Sequence, residues 1–415
     1  MVEHRRATQY CHNPAVMARP RFSNAQRRTR LAGRHRLAPS ARIDDVGVIT
    51  DSVVALHSSD PSSVYLSAIA RMRQPSVEAI SSALYDDRTV VRHHAMRRTL
   101  WVFTPQMARW AHASCTASLA PNEWKKLARM IEDSGIASDG VAWVSVAKAD
   151  TLAALTAMGV ATARQLGKAV PALTEKLQLA PGKPYAATQG AHTRVLLNLG
   201  FDGTIVRGRP KPSWTNSEYP WSVTEQWLGV AIAGEDPDTG AAELARNYVA
   251  RFGPVTLADL QWWAGWTLGR TRRALAAIGA VEVDLDGDVG WVLADDVEDA
   301  AADIGSEPWV AFLPALDSTT MGWKQRAWYL GALAEFGGPV FDRNGNAGPT
   351  IWVDGQVVGG WGQRKSGEIA YRLLTDVPSN RAKAIDAEAR TLRELIGDAR
   401  VNVRFPVPML KELLA

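Results

Sequence analysis

The residues best suited to chemistry form the stretch His57-Ser58-Ser59-Asp60, which follows an apolar helical segment. Ser59 or Asp60 can cap a second helix that begins at Pro61, because proline needs no partner for its nitrogen at the first helical position. The polar triplet therefore lies at a corner between two helices, beside backbone N–H groups that suit an anion or an attacking water. An ordinary capped corner is the alternative interpretation.

Length and composition limit the classes of protein to consider. The chain of 415 residues should form about two to four domains, and 46% hydrophobic with 22% charged residues is typical of a globular protein. No uninterrupted apolar run reaches the ~18–20 residues of a membrane span, so no membrane partner is expected. Cys11 and Cys115 form no CxxC pair, which indicates a reducing compartment, the cytoplasm, and argues against structural zinc.

Charge is distributed unevenly along the chain. The first 50 residues contain ten arginines, whereas residues 281–310 contain ten carboxylates and no lysine or arginine. This asymmetry indicates that one end approaches a polyanion. Residues 1–22 are expected to be a flexible basic leader without a secretory signal, with Met1 or Met17 as the start. Ser23 should cap a short basic helix whose arginines contact phosphates or simply face solvent.

Residues 23–147 are predicted to form a first winged-helix unit with connecting helices. Two helices flank His57, a third follows Val77, and residues 89–103 are β-rich with a basic turn. Arg97 and Arg98 are expected on the strand leading away from that turn, as DNA contacts. His93 and His94 should face opposite sides of their strand, which makes a joint metal site unfavourable; they are interpreted as hydrogen-bonding or phosphate-facing.

Two further units repeat the order of elements. Residues 148–233 end in a strand and a basic loop suited to a wing on a phosphate backbone, with DNA-binding candidates Arg207, Arg209 and Lys211. In residues 241–300, Thr256 should cap one helix, and the next helix should face the DNA groove with its first turns. Its three arginines near the N-terminal end are Arg270, Arg272 and Arg273. The hairpin at residues 281–293 is acidic and should avoid phosphates.

Residues 308–415 alternate short strands and turns, which predicts a β-barrel-like domain with a C-terminal helix and a strand at Val401–Phe405. Lys324 and Arg326 should lie on phosphate or in solvent, and Asp317 near them in sequence leaves a charged ligand site as an alternative. The predicted fold class is α+β, with three tandem winged helix-turn-helix units and a small antiparallel β-barrel-like domain.

Five stretches together resemble a known bacterial family: ALHSSDPSSVYLSAIAR, MRRTLWVFTP, YVARFGPVTLADLQWWAGW, FLPALDSTTMGWKQR and GPTIWVDGQVVGGW. The resemblance covers roughly residues 20–410. It is to the winged-helix family that includes the interstrand-crosslink and azinomycin-resistance DNA glycosylases. It implies three winged helices and a barrel around duplex DNA, and hydrolysis of the glycosidic bond of bulky or crosslinked N7-alkylpurines without metal or cofactor.

The resemblance also gives the corner a role. The family carries Gln-apolar-Gln or Gln-apolar-Asp where this chain has His57, Ser58 and Ser59. A glycosylase must hold a water and stabilise an oxocarbenium-like sugar. The catalytic candidates are therefore His57 as a base, Ser59 as a residue that orients water, and Asp60 as the nearest carboxylate. No phosphate-loop or dinucleotide fingerprint indicates a nucleotide cofactor.

Three hypotheses remain open at this point. The protein is a monofunctional DNA glycosylase, a non-catalytic DNA-binding regulator or damage sensor, or a protein whose tryptophan-rich C-terminal half binds a ligand or partner. Trp262, Trp263 and Trp266 share one helix face, a pattern more typical of a core. We expect double-stranded DNA as the partner, a monomer, and a nucleoid-associated cytoplasmic location.

Overall fold

The structure is a computed structural model that describes residues 19–180, 182–184, 186–298, 307–335 and 338–415. Most of the predicted leader, with both candidate start sites and Cys11, lies outside the described residues.

The first unit places the polar corner on a three-stranded sheet. Strand β3 pairs antiparallel with both neighbours, so that Trp101 lies opposite His57 on one side and His93 on the other. Because β1 lies between α2 and α3, this sheet fixes the chain where it turns into the second helix. The elements are α1 (Asn24–Arg34), α2 (Val46–Ser52), β1 (Leu56–His57), α3 (Pro61–Ile69), α4 (Val77–Tyr85), β2 (Val91–His94) and β3 (Leu100–Phe103).

The second unit repeats this arrangement with a very short first strand. Ala161 forms an antiparallel bridge with Trp221, and residues 171–179, where the helical order would continue, form a 3₁₀ turn and a strand instead. The elements from the connecting helices onward are α5 (Pro105–Ala111), α6 (Ala120–Asp133), α7 (Gly140–Met158), α8 (Ala163–Ala169), β4 (Lys176–Leu179), β5 (Ala187–Gly190), α9 (Ala191–Phe201), β6 (Ile205–Arg207), β7 (Trp221–Val223) and α10 (Thr224–Leu228).

Helix α7 is the one helix of the described residues whose length and composition match a membrane span. It packs along α6 and α9, and Lys148 near its middle bonds Asp202 at 2.5 Å. These contacts are those of a helix packed within a globular unit.

The third unit has the same order, with the first strand paired to the last. Thr256 caps α12 through a reciprocal pair of hydrogen bonds with Asp259, as predicted. Thr267 caps α13 by accepting from the backbone N–H of Arg270. The sheet order is β8-β10-β9. The elements are α11 (Pro237–Phe252), β8 (Val255–Thr256), α12 (Leu257–Ala264), α13 (Leu268–Ala277), β9 (Val281–Leu285) and β10 (Asp288–Val292).

The C-terminal region forms an open antiparallel sheet in the order β11-β12-β13-β14. The edge strands β11 and β14 do not pair with each other within the described residues, so the expected barrel is not closed. Val401–Phe405, expected as a strand, is irregular chain that crosses to the first unit. The elements are β11 (Val310–Leu313), α14 (Ala327–Leu330), β12 (Thr350–Val353), β13 (Gln356–Gln363), β14 (Ile369–Leu373), α15 (Ser379–Ile396) and α16 (Pro408–Leu414).

One continuous apolar core joins the first unit, the third unit and the C-terminal sheet, and a second core lies within the second unit. The basic helix α1 lies against the first core. Ser23 caps it as predicted, but Arg27 stacks 4.2 Å from the ring centroid of Trp328 and Arg30 pairs with Asp296. These two arginines therefore hold domains together and do not point at phosphates.

Candidate active site and nucleic-acid interface

His57 is buried, with 3% of its surface exposed, and its ring meets Trp101 edge-on at 4.5 Å. Burial, and then the charge of Arg97, lower the pKa of His57 to about 3. Its Nδ1 accepts a hydrogen bond from the backbone N–H of Ser59 at 3.3 Å, so the neutral ring carries its proton on Nε2. His57 is therefore neutral, and its burial does not support the expected role as a base, which would need a pKa near the unperturbed value of about 6.5.

Ser58 is buried and connects the corner to the neighbouring strand. Its backbone N–H donates to the carbonyl of Leu100 at 2.8 Å, and its hydroxyl accepts from Nε of Arg92 at 3.0 Å. Arg92 also donates to the hydroxyl of Tyr85. The Arg92 guanidinium thus packs against the buried side of the corner. The sequence alone did not predict this contact between Arg92 and Ser58.

Asp60 caps α3, as expected. Its Oδ1 accepts from the backbone N–H and the hydroxyl of Ser62, at 3.1 and 2.7 Å, and its Oδ2 accepts from the backbone N–H of Arg404 at 3.1 Å. The Arg404 side chain also donates to the carbonyl of Ser59 at 3.4 Å. The only carboxylate of the corner is thus occupied by three hydrogen bonds, whereas the Ser59 hydroxyl makes none to a described residue.

The loop between β6 and β7, predicted to be a DNA-facing wing, docks on the first unit. Trp214 packs against Tyr65 at 5.0 Å, and Arg209 pairs with Asp86 at 2.5 Å. Arg207 is half-buried and stacks 4.3 Å from the ring centroid of Tyr219. Of the three cations predicted here, only the exposed Lys211 has a side chain without a partner in the described chain. The corner is therefore enclosed by this loop on one side and the segment around Arg404 on another.

Two cavities border these segments. A cavity of about 280 Å³ lies beside Asp60 and is lined mainly by apolar residues, among them Leu66 and Trp361. A larger groove of about 780 Å³ runs along the second unit. Its basic and aromatic lining includes Arg164, His192, Arg207, Lys211, Tyr219 and Trp221.

Arg97 and Arg98 lie in the turn between β2 and β3 and not on a strand, because both adopt positive φ angles of 55° and 62°. Cζ of Arg97 lies 4.0 Å from the ring centroid of Trp262, and burial, then Arg326, lower its pKa to about 10. Arg98 is exposed and pairs with Glu123 at 3.2 Å. Arg97 is therefore held by protein groups, whereas Arg98 is exposed and its expected DNA contact stays a prediction.

Arg326 is also held by the protein. It stacks on Phe341 at 4.3 Å and on the same Trp262 at 5.3 Å, and its Nη1 donates to the carbonyl of Gly345 at 2.9 Å. The Lys324 side chain is exposed. Trp262 therefore lies between two arginines, whereas Trp263 and Trp266 are buried in the core, as the stripe predicted.

Of the three arginines expected on the recognition helix, one is held by the protein and two are exposed. Arg270 donates to the carbonyl of Pro237 at 2.7 Å, but Arg272 and Arg273 are exposed and form no ion pair within the described chain. The acidic hairpin is partly neutralised by the chain's own N-terminal segment, in which Arg21 pairs with Asp286 at 2.7 Å.

His93 and His94 are buried and do not face phosphate. Nε2 of His93 lies 3.1 Å from Nδ1 of His112, and His94 stacks on Phe201. Within the described residues, no group of three or more histidine, cysteine or carboxylate side chains is close enough to hold a metal ion.

Asp317 does not join Lys324 and Arg326 in a ligand site. It pairs with Arg71 at 2.9 Å, with both side chains fully buried, and accepts from the hydroxyl of Ser67 at 2.6 Å. Burial would raise the pKa of Asp317, but the Arg71 charge and these hydrogen bonds outweigh it and hold the pKa below its usual range. The pair fastens α3, just beyond the corner, to the C-terminal region.

A helix-to-helix corner on a small sheet, enclosed by a basic loop and a C-terminal segment, is thus the best-organised polar site of the described chain. The family model described as "DNA glycosylase AlkZ-like" matches residues 50–395, and the chain belongs to this family.

Among solved structures, the DNA glycosylase AlkZ from Streptomyces sahachiroi is similar over 92% of this chain and 99% of its own, with a TM-score of 0.69 and 20% sequence identity. At that identity the likeness shows a shared fold. A search of curated proteins finds no match.

Proposed function

We propose that the protein is a DNA-repair glycosylase that binds duplex DNA as a monomer in the cytoplasm, at the nucleoid. Its substrates would be bulky or crosslinked N7-alkylpurines. The observation that carries the proposal is family membership over residues 50–395, which include the whole corner. In this proposal the three repeated units are winged helices (23–147, 148–233 and 241–300), and 308–415 is the barrel-like domain.

The DNA-binding surface would use the cations that the fold leaves unpaired. Lys211, Arg272, Arg273 and Lys324 come from three different units, and all are exposed. Exposed lysine and arginine side chains bind backbone phosphates and release counterions. Arg97, Arg209, Arg270 and Arg326 already contact protein groups and would support this surface without contacting phosphate themselves.

The chemistry asked of the corner is modest. Alkylation at N7 places a positive charge on the purine, so the base can leave without a protein acid, and water then adds to an oxocarbenium-like sugar. The half-buried Ser59 can orient that water because its hydroxyl has no partner among the described residues. His57 positions Ser59 by accepting a hydrogen bond from the Ser59 backbone N–H. Asp60 is the nearest carboxylate that could accept the proton released by the water.

A second candidate, a non-catalytic regulator or damage sensor, is favoured by one specific observation. The neutral His57 cannot accept a proton through Nε2, and Asp60 already accepts three hydrogen bonds. The corner can then recognise a displaced lesion without cleaving it.

Base release from alkylated duplex DNA, at enzyme excess, distinguishes these functions. The wild type should release N7-alkylguanine, and Ser59→Ala and His57→Ala should slow release by at least about 10²-fold, the lower end of the effects of groups that activate water. Ser138→Ala, at an exposed serine, is the control. Duplex binding without release would support the non-catalytic binder. No duplex binding at low salt would reject both and leave a ligand- or partner-binding surface.

A further inference from the structure

Three arginines from distant parts of the chain meet beside the corner. Arg92 lies on β2 and bonds the hydroxyl of Ser58, and Arg404 lies in the C-terminal segment and bonds the carbonyl of Ser59. Arg207 ends β6, which packs against β2. We call these three residues the arginine cluster.

The arginine cluster lacks a counter-charge. None of its guanidinium groups pairs with a carboxylate of the described chain; their partners are hydroxyl, carbonyl and aromatic groups, among them Tyr85 and Tyr219. The Nε atom of Arg207 is buried and has no hydrogen-bond partner. Burial, together with the charges of Arg92 and Arg404, lowers the pKa of Arg207 to about 10 against the opposing effect of Tyr219. Arg92 is buried and Arg207 is half-buried, and cations removed from water are costly unless an anion compensates them.

We propose that the arginine cluster is an anion site that receives one backbone phosphate of a DNA strand lying against the corner. This inference rests on the proposed function and extends it to the strand that the site holds. Planar guanidinium groups suit phosphate because they donate two parallel hydrogen bonds.

The surroundings of the cluster favour a polyanion over a free ion. Arg207 also lines the groove of about 780 Å³, which continues past Lys211 and Arg164. A strand whose phosphate lies on Arg207 would thus meet further cations along its path.

The phosphate would also change the electrostatics of catalysis. Arg92 and Arg404 hydrogen-bond the corner directly, and a positively charged sugar developing there would be repelled by them. A bound phosphate offsets this charge. The contact between the phosphate and the arginine cluster would then both position the strand and lower the electrostatic cost of the positively charged transition state.

The test compares Arg207→Gln/Arg404→Gln with Arg390→Gln/Arg393→Gln, which removes the same charge from an exposed face of α15. Duplex affinity is measured by fluorescence anisotropy at several salt concentrations. Loss of one phosphate contact should lower the slope of log K against log salt by about 0.9 relative to the control pair. Arg404→Gln alone, at an exposed position, should give a smaller change in the same direction and covers the case in which the Arg207 variant does not fold.

An unchanged slope in the folded double variant, beside steep salt dependence in the wild type, overturns the phosphate site but not the proposed function. Absence of any duplex binding by the wild type overturns the proposed function itself. Unfolding temperatures in inorganic phosphate and in chloride at equal ionic strength give a second readout. If phosphate protects the wild type more than the double variant while the DNA slopes agree, the site binds a free anion and the assignment to DNA is wrong.

Discussion

Five buried histidines should make the protein sensitive to mild acid. His35, His57 and His94 each have a pKa lowered to about 3, that of His112 is lowered to about 4, and that of His93 lies well below its usual value. The first cause in every case is burial, which disfavours the charged imidazolium. An unfolded histidine binds its proton near pH 6.5, so the unfolded state holds more protons below that pH. The contribution of these histidines to the free energy of unfolding is therefore fully present above pH 6.5. It is lost as the pH falls from 6.5 toward the pKa values of the folded protein.

The size of the effect follows from the shift. Each pH unit below 6.5 costs about 1.4 kcal/mol per such histidine, or about 2 kcal/mol between pH 6.5 and pH 5. His93 and His112 share a hydrogen bond, but each ring takes up its own proton on unfolding, so the pair counts as two sites. Five sites then lose about 10 kcal/mol, comparable to the whole stability of about 5–15 kcal/mol of many proteins. Half-buried Asp51 and Glu388, whose pKa values are raised by desolvation, act in the opposite direction.

Urea unfolding followed by tryptophan fluorescence at pH 7.5 and pH 5.0 measures this loss. The wild type should lose most of its free energy of unfolding over this range. His57→Gln should lose about 2 kcal/mol less than the wild type, since one titrating site is gone. His192→Gln, at a half-exposed histidine, should behave like the wild type. A free energy of unfolding that does not change between the two pH values, or an equal effect of both variants, would refute the reasoning.

Three further predictions concern the corner and its supports. Asp317→Asn should lower the free energy of unfolding by about 3–5 kcal/mol in urea, because it leaves Arg71 buried without its counter-charge; a loss below about 1 kcal/mol would contradict this. Arg272→Gln/Arg273→Gln should lower the salt slope of duplex binding by up to about 1.8, two phosphates, and an unchanged slope would place α13 away from DNA. Ser59→Asp, which restores a carboxylate of the family motif, should raise base release by about 10²–10⁴-fold over Ser59→Asn. Equal release by those two variants would place the chemistry elsewhere.

The local features of the fold could be predicted from the sequence because they depend on neighbours in the chain. Asp60 before Pro61 predicted the cap of α3, and the Thr256 capping pattern predicted the start of α12. These signals arise from hydrogen bonds between residues two or three positions apart.

The chemistry of the corner could not be predicted in the same way, because it depends on distant residues. Asp60 and the backbone of Arg404 are 344 positions apart in the sequence, and Arg71 and Asp317 are 246 apart. An isolated arginine in a strand or an irregular tail carries no sign of its partner. Strand alternation places Arg92 on the face of β2 opposite to His93, which the sequence could have indicated. Alternation does not predict which hydroxyl the Arg92 side chain contacts.

The replacement of the family motif is best understood through charge. The family resemblance implies an amide or carboxylate at the third position, where this chain has Ser59, and the surrounding groups are the cations Arg92, Arg404 and Arg207. At an effective dielectric constant of ~20, a like charge about 8 Å from a developing oxocarbenium ion costs about 2 kcal/mol, roughly a thirtyfold loss of rate. A corner with these residues alone would therefore be a poor glycosylase and a good anion site. Only when DNA supplies a phosphate to the arginine cluster does the same corner tolerate a positively charged sugar, which makes substrate binding itself a condition for catalysis.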